Sequence, residues 1–298
     1  MKKIDLNDLP RWCVHARRLL RGDPSITPKR TLESVRQEYD QGTYGLCLEH
    51  LNKLGPDATI EGIRQYQLRI GVSVETQCGD VPTPAGLAQT RCVSLGNDLF
   101  EMALDEAQRR ATDIVICAVR EAMEHCNTVV DLGAGYGYLL HQLRRSFPGK
   151  NWIGADASTA ATQLAKRLFN GSSDARFYKF NFLEPGSYRF LSAAEPPILI
   201  VTQHAIEQLP STARVFDALG QYQDLIHRVF HFEPVYAHQD DTMLSLMRRR
   251  FIENQDYNRD LLCEIRRRDE IRLLNEQANV IAINPLNPTS IVQWEYVK

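Results

Sequence analysis

Short apolar runs alternate with amphipathic stretches through the second half of the chain. Five of these runs are predicted to be strands, one that ends at Val129-Val130 and four more at 151–156, 175–182, 197–201 and 229–236. Between the first two strands, Leu139, Leu140 and Leu143 recur on one helical face. This alternation of strand and helix predicts a parallel sheet that is covered by helices.

The last segments of the chain have a different pattern. Two apolar runs, 278–284 and 290–297, flank the proline-containing stretch 285–289 and predict an antiparallel hairpin. The preceding stretch, residues 239–277, is predicted to be helical and is rich in arginine. We therefore expect a mostly parallel sheet that a terminal hairpin closes.

Residues 1–127 are mostly helical in pattern, and we separate them as an amino-terminal region from the α/β region, residues 128–298. The stretch 78–86 holds two prolines and two glycines and is predicted to be a loop or linker. Residues 97–124 after it are predicted to form one long helix with an apolar stripe.

The stretch from Val129 to Gly137 has the sequence VVDLGAGYG and joins the first predicted strand to a helix. Glycine is needed in such a turn because the backbone bends sharply and a ligand approaches where a Cβ would stand. A dinucleotide fingerprint would need glycine at position 138, which is Tyr138. The spacing D-x-G-x-G-x-G instead resembles motif I of the class I S-adenosylmethionine-dependent methyltransferases.

This resemblance covers roughly residues 128–298 and implies both a fold and a cofactor. The implied fold is α/β, a seven-stranded, mostly parallel Rossmann-like sheet with an antiparallel terminal hairpin and an added amino-terminal helical region. The implied cofactor is S-adenosyl-L-methionine (SAM). The resemblance assigns contacts with SAM to ten residues: Asp131, Gly133, Ala134, Gly135, Gly137, Asp156, Ala157, Asn181, Phe182 and Gln203.

Several of these assignments also have a physical reason. Asp156 ends the second strand nineteen residues after Gly137, the family's motif II spacing, and a carboxylate can accept hydrogen bonds from both ribose hydroxyls. Asn181 stands where the family usually has an acid, but its amide oxygen can accept a bond from the adenine amino group. Phe182 can pack against that ring. Gln203 can hydrogen-bond the cofactor's amino group.

Candidate catalytic residues follow the fourth and fifth strands, where open α/β sheets place their ligands. His204 is a candidate general base because its ordinary pKa is near ~6.5, and Glu207 lies three residues beyond it. Glu233 ends the fifth strand among apolar neighbours, so its carboxylate needs a partner. Glu207 and Glu233 could together clamp a cationic substrate through charge-assisted hydrogen bonds. In a structural alternative, His204 satisfies the loop backbone and Glu207 caps a helix.

The preferred acceptor is accordingly an amine or guanidine nitrogen of a small molecule, such as an arginine-like amino acid. Methylation of a hydroxyl or carboxyl in a natural-product pathway, with His204 as the base, is the first alternative. An RNA or protein methyltransferase and a non-catalytic SAM-binding protein are further ones. Tyr44 and Tyr236 join Glu207 and Glu233 as candidate substrate contacts, although Tyr44 also fits a packed turn.

Composition and charge indicate the class of protein and its cellular compartment. The chain has 298 residues, 43% of them hydrophobic and 24% charged, which is typical of a globular protein. The formal net charge of −2 gives no overall attraction to nucleic acid. Seven scattered cysteines without a C-x-x-C pair favour reduced thiols, and we see no apolar signal peptide or membrane-spanning run. These features together predict a cytoplasmic protein.

Two further patterns have a functional and a structural interpretation. His227 and His231 have the spacing of metal ligands on a helix, but they flank the start of the fifth strand without a third ligand, so no metal is expected. The arginine triplets 248–250 and 266–268 could face phosphates from one continuous helix, yet acidic residues are interleaved with them. We therefore expect a salt-bridged surface or a contact in a homo-oligomer, and a small molecule rather than nucleic acid as the substrate.

Overall fold

The amino-terminal region combines helices with a small sheet. The structure, a computed structural model, describes residues 1–22, 31–77 and 90–297. Its elements before residue 104 are β1 (Lys2–Ile4), α1 (Leu9–Trp12), α2 (Val14–Arg21), α3 (Leu32–Gln37), α4 (Tyr44–Leu54), α5 (Ile60–Gln77), β2 (Thr90–Leu95) and β3 (Asp98–Ala103). Strand β3 pairs antiparallel with β1 on one side and β2 on the other. The predicted linker at 78–86 lies outside the described residues.

The rest of the chain builds the central sheet and its helices. These elements are α6 (Leu104–Glu124), β4 (Thr128–Leu132), α7 (Tyr138–Ser146), β5 (Asn151–Asp156), α8 (Thr159–Leu168), β6 (Ala175–Lys179), β7 (Ile198–Gln203), α9 (Ala213–Gly220), β8 (Ile226–Glu233), α10 (Met243–Asn254), α11 (Leu261–Arg266), β9 (Ile271–Ile281) and β10 (Thr289–Tyr296). The sheet order is β6-β5-β4-β7-β8-β10-β9, with β4 to β8 mutually parallel and β10 antiparallel to both neighbours. This order confirms the predicted fold, a seven-stranded, mostly parallel α/β sheet with an antiparallel terminal hairpin.

Helices cover both faces of the central sheet, which explains the continuous apolar runs of its inner strands. Every residue of β4 is buried. Val129 packs in one cluster with Leu140 of α7, whereas the adjacent Val130 packs in the other with Phe216 of α9. The crossovers after β4 and β7 therefore lead to opposite faces, and this divergence opens a crevice at the carboxyl ends of the two strands.

The prediction of one helix over residues 97–124 is wrong at its start. Residues 98–103 form β3, which pairs with β2 across a turn at Gly96 and Asn97, and the helix α6 begins only afterwards. Leu99 and Met102 are both buried and lie three residues apart, so they imitate a helical period. The Gly-Asn pair, a hairpin signal, is the better indicator here.

The prediction of helix over residues 239–277 is wrong at its end. Helix α11 ends at Arg266 and β9 begins at Ile271, so the hairpin is longer than expected. Because β9 lies at the edge of the sheet, polar side chains are tolerated along it, and pairing with β10 overrides their helical propensity. Because α10 ends at Asn254 and α11 begins at Leu261, the two arginine triplets do not share one continuous helix.

The amino-terminal helices pack against the α/β region. Cys47 of α4 and Ile63 of α5 share a buried cluster with Val119 of α6 and Leu140 of α7. Helix α4 also lies against α8. Among the described residues, no helix is both long and apolar enough to cross a membrane.

Candidate active site

The glycine loop after β4 is enclosed by side chains from other segments. Gly133, Gly135 and Gly137 have φ values of 87°, 55° and 85°, a left-handed range that other residues rarely adopt. A Cβ on Gly133 would stand 2.3 Å from the Ala205 Cβ, and one on Gly135 would stand 2.5 Å from the Tyr44 hydroxyl. Backbone conformation and close packing therefore both require glycine in this loop.

Asp156, at the end of β5, holds the glycine loop against the start of α8. Its Oδ2 accepts a hydrogen bond from the Gly135 amide at 2.7 Å, and its Oδ1 accepts one from the Ser158 amide at 2.7 Å. Burial raises the pKa of Asp156, while these two amide bonds oppose the shift. Each carboxylate oxygen keeps a further lone pair, so Asp156 can still accept hydrogen bonds from a ribose.

A cavity of about 560 Å³, here called the Asp156 cavity, lies at the carboxyl ends of β5 and β6. Its lining includes predicted cofactor residues and two tyrosines of the amino-terminal region: Asp156, Ala157, Asn181, Phe182, Gln203, Tyr39 and Tyr44. The cavity thus lies between the sheet and the amino-terminal helices.

Asn181 lines the Asp156 cavity and also forms a local turn. Its Oδ1 accepts a hydrogen bond from the Leu183 amide at 3.0 Å, and its Nδ2 donates to Glu184 at 2.8 Å. Because an amide oxygen has two lone pairs, the predicted bond from an adenine amino group remains open to it. Phe182, in the same lining, offers its ring as a packing surface.

A second cavity, of about 340 Å³, contains the end of β4 and is called the Asp131 cavity. Its lining includes Asp131, Gly133, Ala134, Gly135, Tyr136, Gln203 and His204. Burial, reinforced by the charges of Asp156 and Glu233, raises the pKa of Asp131 to about 8. A cationic group beside this buried carboxyl would favour its ionised form, so the site suits an ammonium ligand.

The two cavities meet at the carboxyl end of β7. Of the described residues, five line both of them: Tyr44, Gln67, Gly133, Gln203 and His204. Nine of the ten residues that the sequence assigns to the cofactor line at least one cavity. The exception is Gly137, where a Cβ would stand 2.9 Å from the Phe177 ring, so this glycine lets α7 approach the sheet.

His204 follows β7 in a strained conformation with a φ of 48°. Its Nδ1 donates to Glu207 Oε2 at 2.9 Å, since a carboxylate can only accept, and its Nε2 then accepts from the Thr289 hydroxyl at 2.8 Å. Burial lowers the pKa of His204, but the charges of Glu207 and Glu233 outweigh it and raise that pKa above the usual value. The imidazole is 32% exposed and the Glu207 side chain only 4%, so a substrate can reach the histidine.

Glu233, at the end of β8, anchors the turn that follows His204. Its carboxylate accepts hydrogen bonds from the amides of Ala205 at 3.0 Å, Ile206 at 3.3 Å and Glu207 at 3.4 Å. Burial and the nearby Glu207 charge raise the pKa of Glu233 to about 7. Within the described residues, neither glutamate lines the two cavities. The predicted carboxylate clamp is therefore not presented to a substrate, because Glu233 binds backbone amides and Glu207 binds His204.

The two tyrosines predicted as substrate contacts have different surroundings. Tyr44 begins α4, lines both cavities and stacks on Tyr39 with ring centroids 5.5 Å apart. Tyr236 instead donates its hydroxyl to Glu253 at 2.9 Å and is not part of the described lining of either cavity. The structure thus brings Tyr44 to the site and leaves Tyr236 outside it.

Several polar residues of the Asp131 cavity were not indicated by any sequence pattern. They come from α5, α6 and the β9–β10 hairpin: Arg64, Gln67, Gln108, Asn284, Asn287 and Thr289. Asp40, likewise unpredicted, accepts from the Ser158 hydroxyl at 2.6 Å and the Ala160 amide at 2.9 Å, and so caps α8 from the amino-terminal region. Tertiary packing brings these residues to the cleft, and no local motif marks them.

His231 is bonded within the sheet. The Trp294 indole donates to its Nε2 at 2.9 Å, so its Nδ1 donates to the Thr202 hydroxyl at 2.9 Å. Burial lowers the pKa of His231 to about 3. Across the part of the chain that the structure describes, no three His, Cys, Asp or Glu side chains are grouped to hold a metal ion.

No protein-family model and no curated protein matches the sequence. Matching solved structures include the plantazolicin methyltransferase BpumL in complex with S-adenosylhomocysteine (SAH), at 10% identity over 65% of this chain and 88% of that chain, with a TM-score of 0.44. Magnesium protoporphyrin IX methyltransferase from Synechocystis PCC 6803 with bound SAH matches at 13% identity over 64% and 84%, with a TM-score of 0.44. The pyocyanin biosynthetic protein PhzM matches at 12% identity over 63% and 56%, with a TM-score of 0.44. The functional assignment of the cleft therefore depends on strand order and site geometry rather than on these distant similarities.

Proposed function

We propose that the protein transfers a methyl group from SAM to a small-molecule acceptor, with His204 as the general base that takes the acceptor's proton. The observation that carries this proposal is the junction of two cavities at His204. One cavity is bordered by Asp156 and Phe182, which suit a nucleoside. The other contains the buried Asp131, which suits an ammonium group.

Three features of the chain fit SAM. The glycine loop presents backbone without side chains to the Asp131 cavity, Asp131 favours a cation, and Asp156 has lone pairs to spare. Asp131 would hold the amino group of the methionine part, Asp156 would accept the ribose hydroxyls, and Phe182 would pack against the adenine. When bound, SAM supplies an electrophilic methyl group on a sulfonium and leaves as SAH.

His204 and Glu207 supply the proton acceptor. Because Glu207 holds the proton on Nδ1, Nε2 is the atom that can take a proton from an acceptor that displaces the Thr289 hydroxyl. The carboxylate then stabilises the positive imidazolium, while Glu233 keeps the turn in place through its amides. General bases of this kind typically accelerate a reaction by about 10² to 10⁴.

A neutral acceptor with a removable proton, such as a hydroxyl, suits this arrangement better than a cation. The amine or guanidine acceptor that the sequence favours depended on Glu207 and Glu233 facing the substrate together, and both carboxylates are engaged within the turn. We therefore propose O-methylation, the first alternative to the amine acceptor.

Coverage of the cleft supports a small acceptor. Tyr39 and Tyr44 line the Asp156 cavity from the amino-terminal side, and Asn284 and Asn287 line the Asp131 cavity from the β9–β10 hairpin. These walls on both sides limit the acceptor to a molecule small enough to fit between them. An RNA or protein substrate would instead need an open surface beside the cofactor.

The proposal is tested by measuring SAH binding calorimetrically and methyl transfer from labelled SAM to a panel of small phenols and hydroxy acids. Wild-type protein should bind SAH with a Kd of roughly 1 to 100 μM and methylate a panel member. His204→Gln should keep the SAH affinity and lose turnover by about 100-fold or more. His141→Gln, on α7 and bonded to Glu61, is the control and should behave as wild type.

Absence of SAH binding by folded wild-type protein would contradict the cofactor assignment. Full turnover in His204→Gln would contradict the base. Binding of SAH without methylation of any panel member would favour the non-catalytic interpretation.

A further inference from the structure

A third cavity, of about 390 Å³, adjoins the Asp131 cavity and is called the Trp12 cavity. Of the described residues, five line both the Trp12 and Asp131 cavities: Arg64, Gln67, Gln108, Ile283 and Asn284. The remaining walls include Trp12, His15, Arg91 and Leu104, all from the amino-terminal region and the start of α6. A molecule in the Trp12 cavity would therefore adjoin the cavity that contains His204.

The described lining of the Trp12 cavity includes two arginines. Arg64 and Arg91 line it, and among the described lining residues there is no aspartate or glutamate. Leu104 and the Trp12 ring supply apolar surface beside these cations. A cavity with this lining favours a ligand that combines an apolar body with a negative group.

Arg64 has unused hydrogen-bonding capacity at the junction of the two cavities. Its Nη1 donates to Gln67 Oε1 at 2.8 Å, and its guanidinium lies over the Tyr138 ring at 4.8 Å from the centroid. Its Nε has no hydrogen-bond partner among the described residues, a property that it shares with the Nε atoms of Arg228, Arg249 and Arg268. Those three arginines form ion pairs with carboxylates, whereas no described carboxylate pairs with Arg64. An arginine that lines open cavities without a carboxylate partner is suited to bind an anionic ligand.

Arg248, an arginine with a structural role, has different surroundings. It is fully buried, and its guanidinium donates to Pro285 O at 2.9 Å, Asn97 Oδ1 at 2.8 Å and Ser94 Oγ at 2.8 Å. Each nitrogen of Arg248 thus has an acceptor. Arg64 differs because it lines two open cavities and forms no ion pair with a described carboxylate.

We propose that the Trp12 cavity binds the methyl acceptor and that this acceptor carries a carboxylate or phosphate group, which Arg64 and Arg91 bind. The apolar body of the acceptor packs against Trp12 and Leu104, and its hydroxyl extends toward His204. This inference rests on the proposed methyltransferase function and adds the class of substrate, a small anionic hydroxy compound.

The test uses three probes on SAH-saturated full-length protein: 4-hydroxybenzoate, phenyl phosphate and the neutral 4-hydroxybenzamide. Calorimetry should show that at least one of the two anions binds about tenfold or more tightly than the amide. The stronger anion identifies whether the site prefers carboxylate or phosphate. If neither anion binds more tightly than the amide, or if neither shows saturable binding below about 10 mM, the proposal is overturned.

Two variants assign the effect to the arginines. Arg64→Gln and Arg91→Gln should each weaken binding of the preferred anion by about tenfold and leave SAH affinity within about twofold of wild type. Arg69→Gln, at an exposed position of the same helix α5, is the matched control and should change neither. Arg64→Lys, which keeps the charge, should retain part of the anion affinity and so distinguishes loss of charge from misfolding.

The outcomes separate this inference from the proposed function. If Arg64→Gln abolishes SAH binding but leaves the anion in place, the arginine serves the cofactor and the inference is wrong. If wild-type protein fails to bind SAH, the proposed function fails, and anion binding to the SAH-free protein is still measured as a separate result.

Discussion

His204 and Glu207 are joined across one turn, with Nδ1 of the histidine 2.9 Å from Oε2 of the glutamate. The glutamate backbone is fixed on both sides, because its amide donates to Glu233 and its carbonyl accepts from the Asn258 amide at 2.7 Å. The buried Glu207 carboxylate therefore orients the partly exposed imidazole and contributes to its raised pKa.

Glu207→Gln is expected to shift the pH dependence of turnover toward lower pH. His204 must be neutral to accept a proton, so the wild-type rate rises with pH through a pKa that Glu207 holds above the usual histidine value. Removing the charge lowers that pKa and moves the rising limb toward acid. The maximal rate should also fall about tenfold, because the ring loses its fixed orientation. Measurement of kcat between about pH 5 and about pH 9 checks both effects.

Glu253→Gln is a suitable control for this experiment, since Glu253 bonds Tyr236 outside the site. The pH dependence of kcat in Glu253→Gln should match that of the wild type. A rising limb that stays in place in Glu207→Gln would show that a group other than His204 limits the rate.

Asp156→Ala is expected to weaken SAH binding by about 100-fold, because the ribose hydroxyls lose their acceptor. The same change leaves the amides of Gly135 and Ser158 without their present partner, so the free energy of unfolding should fall by about 2 kcal/mol. Calorimetry and urea unfolding measure the two losses separately. Asp156→Asn, which keeps one acceptor oxygen, should lie between wild type and alanine, and unchanged SAH affinity in a folded alanine variant would refute the ribose contact.

The sequence located those parts of the site that directly follow a predicted strand. The glycine loop, Asp156 and His204 follow strands whose apolar runs are unambiguous, so their positions at one sheet edge could be deduced. The need of Glu233 for a partner was also evident, but its partners are backbone amides that no side-chain pattern reveals. Arg64 could not be placed, because only tertiary packing brings α5 to the cleft.

Gly135→Ala is expected to destabilise the fold by about 3 kcal/mol or more, since a Cβ there would stand 2.5 Å from the Tyr44 hydroxyl in addition to the backbone strain. Gly149→Ala isolates the strain alone, because Gly149 has a φ of 82° with nothing within 4 Å of its would-be Cβ. Gly149→Ala should lower the free energy of unfolding by about 1 to 2 kcal/mol. Urea unfolding compares the two variants.

Tyr44→Phe in the Gly135→Ala background tests whether the clash is with the hydroxyl. Removing that oxygen should recover part of the lost stability. No recovery would indicate that the alanine is accommodated by movement of the loop instead.

Arg248→Met is expected to lower the free energy of unfolding by about 3 kcal/mol, because it leaves buried acceptors such as Pro285 O and Ser94 Oγ without a donor. Arg248 joins the β2–β3 turn to the β9–β10 loop, so proteolysis within β2 and β3 should accelerate as well. Arg250→Met, at a side chain that is 62% exposed on the same helix, should change stability by less than about 0.5 kcal/mol. Equal effects of the two substitutions would contradict a linking role for Arg248.

Asp131→Asn is expected to stabilise the ligand-free protein at alkaline pH and to weaken cofactor binding. The folded state raises the pKa of Asp131 from 3.8 to about 8, so between these values the folded protein binds more protons than the unfolded chain. The free energy of unfolding therefore falls as pH rises through this window, and the substitution removes that part of the slope. The increase in the free energy of unfolding over wild type should be absent near pH 3.8 and largest near about pH 8.

SAH affinity should move in the opposite direction, by about tenfold, because the amide no longer attracts the ammonium group. His204 and Glu233, whose pKa values are also raised, give slopes of the same sign, so a reduced slope remains in the variant. Asp113→Asn, at an exposed position of α6, provides the control. A buried carboxyl that destabilises the fold is expected to have a function. A variant that gained stability at about pH 8 while keeping full SAH affinity would therefore show that this function is not cofactor binding.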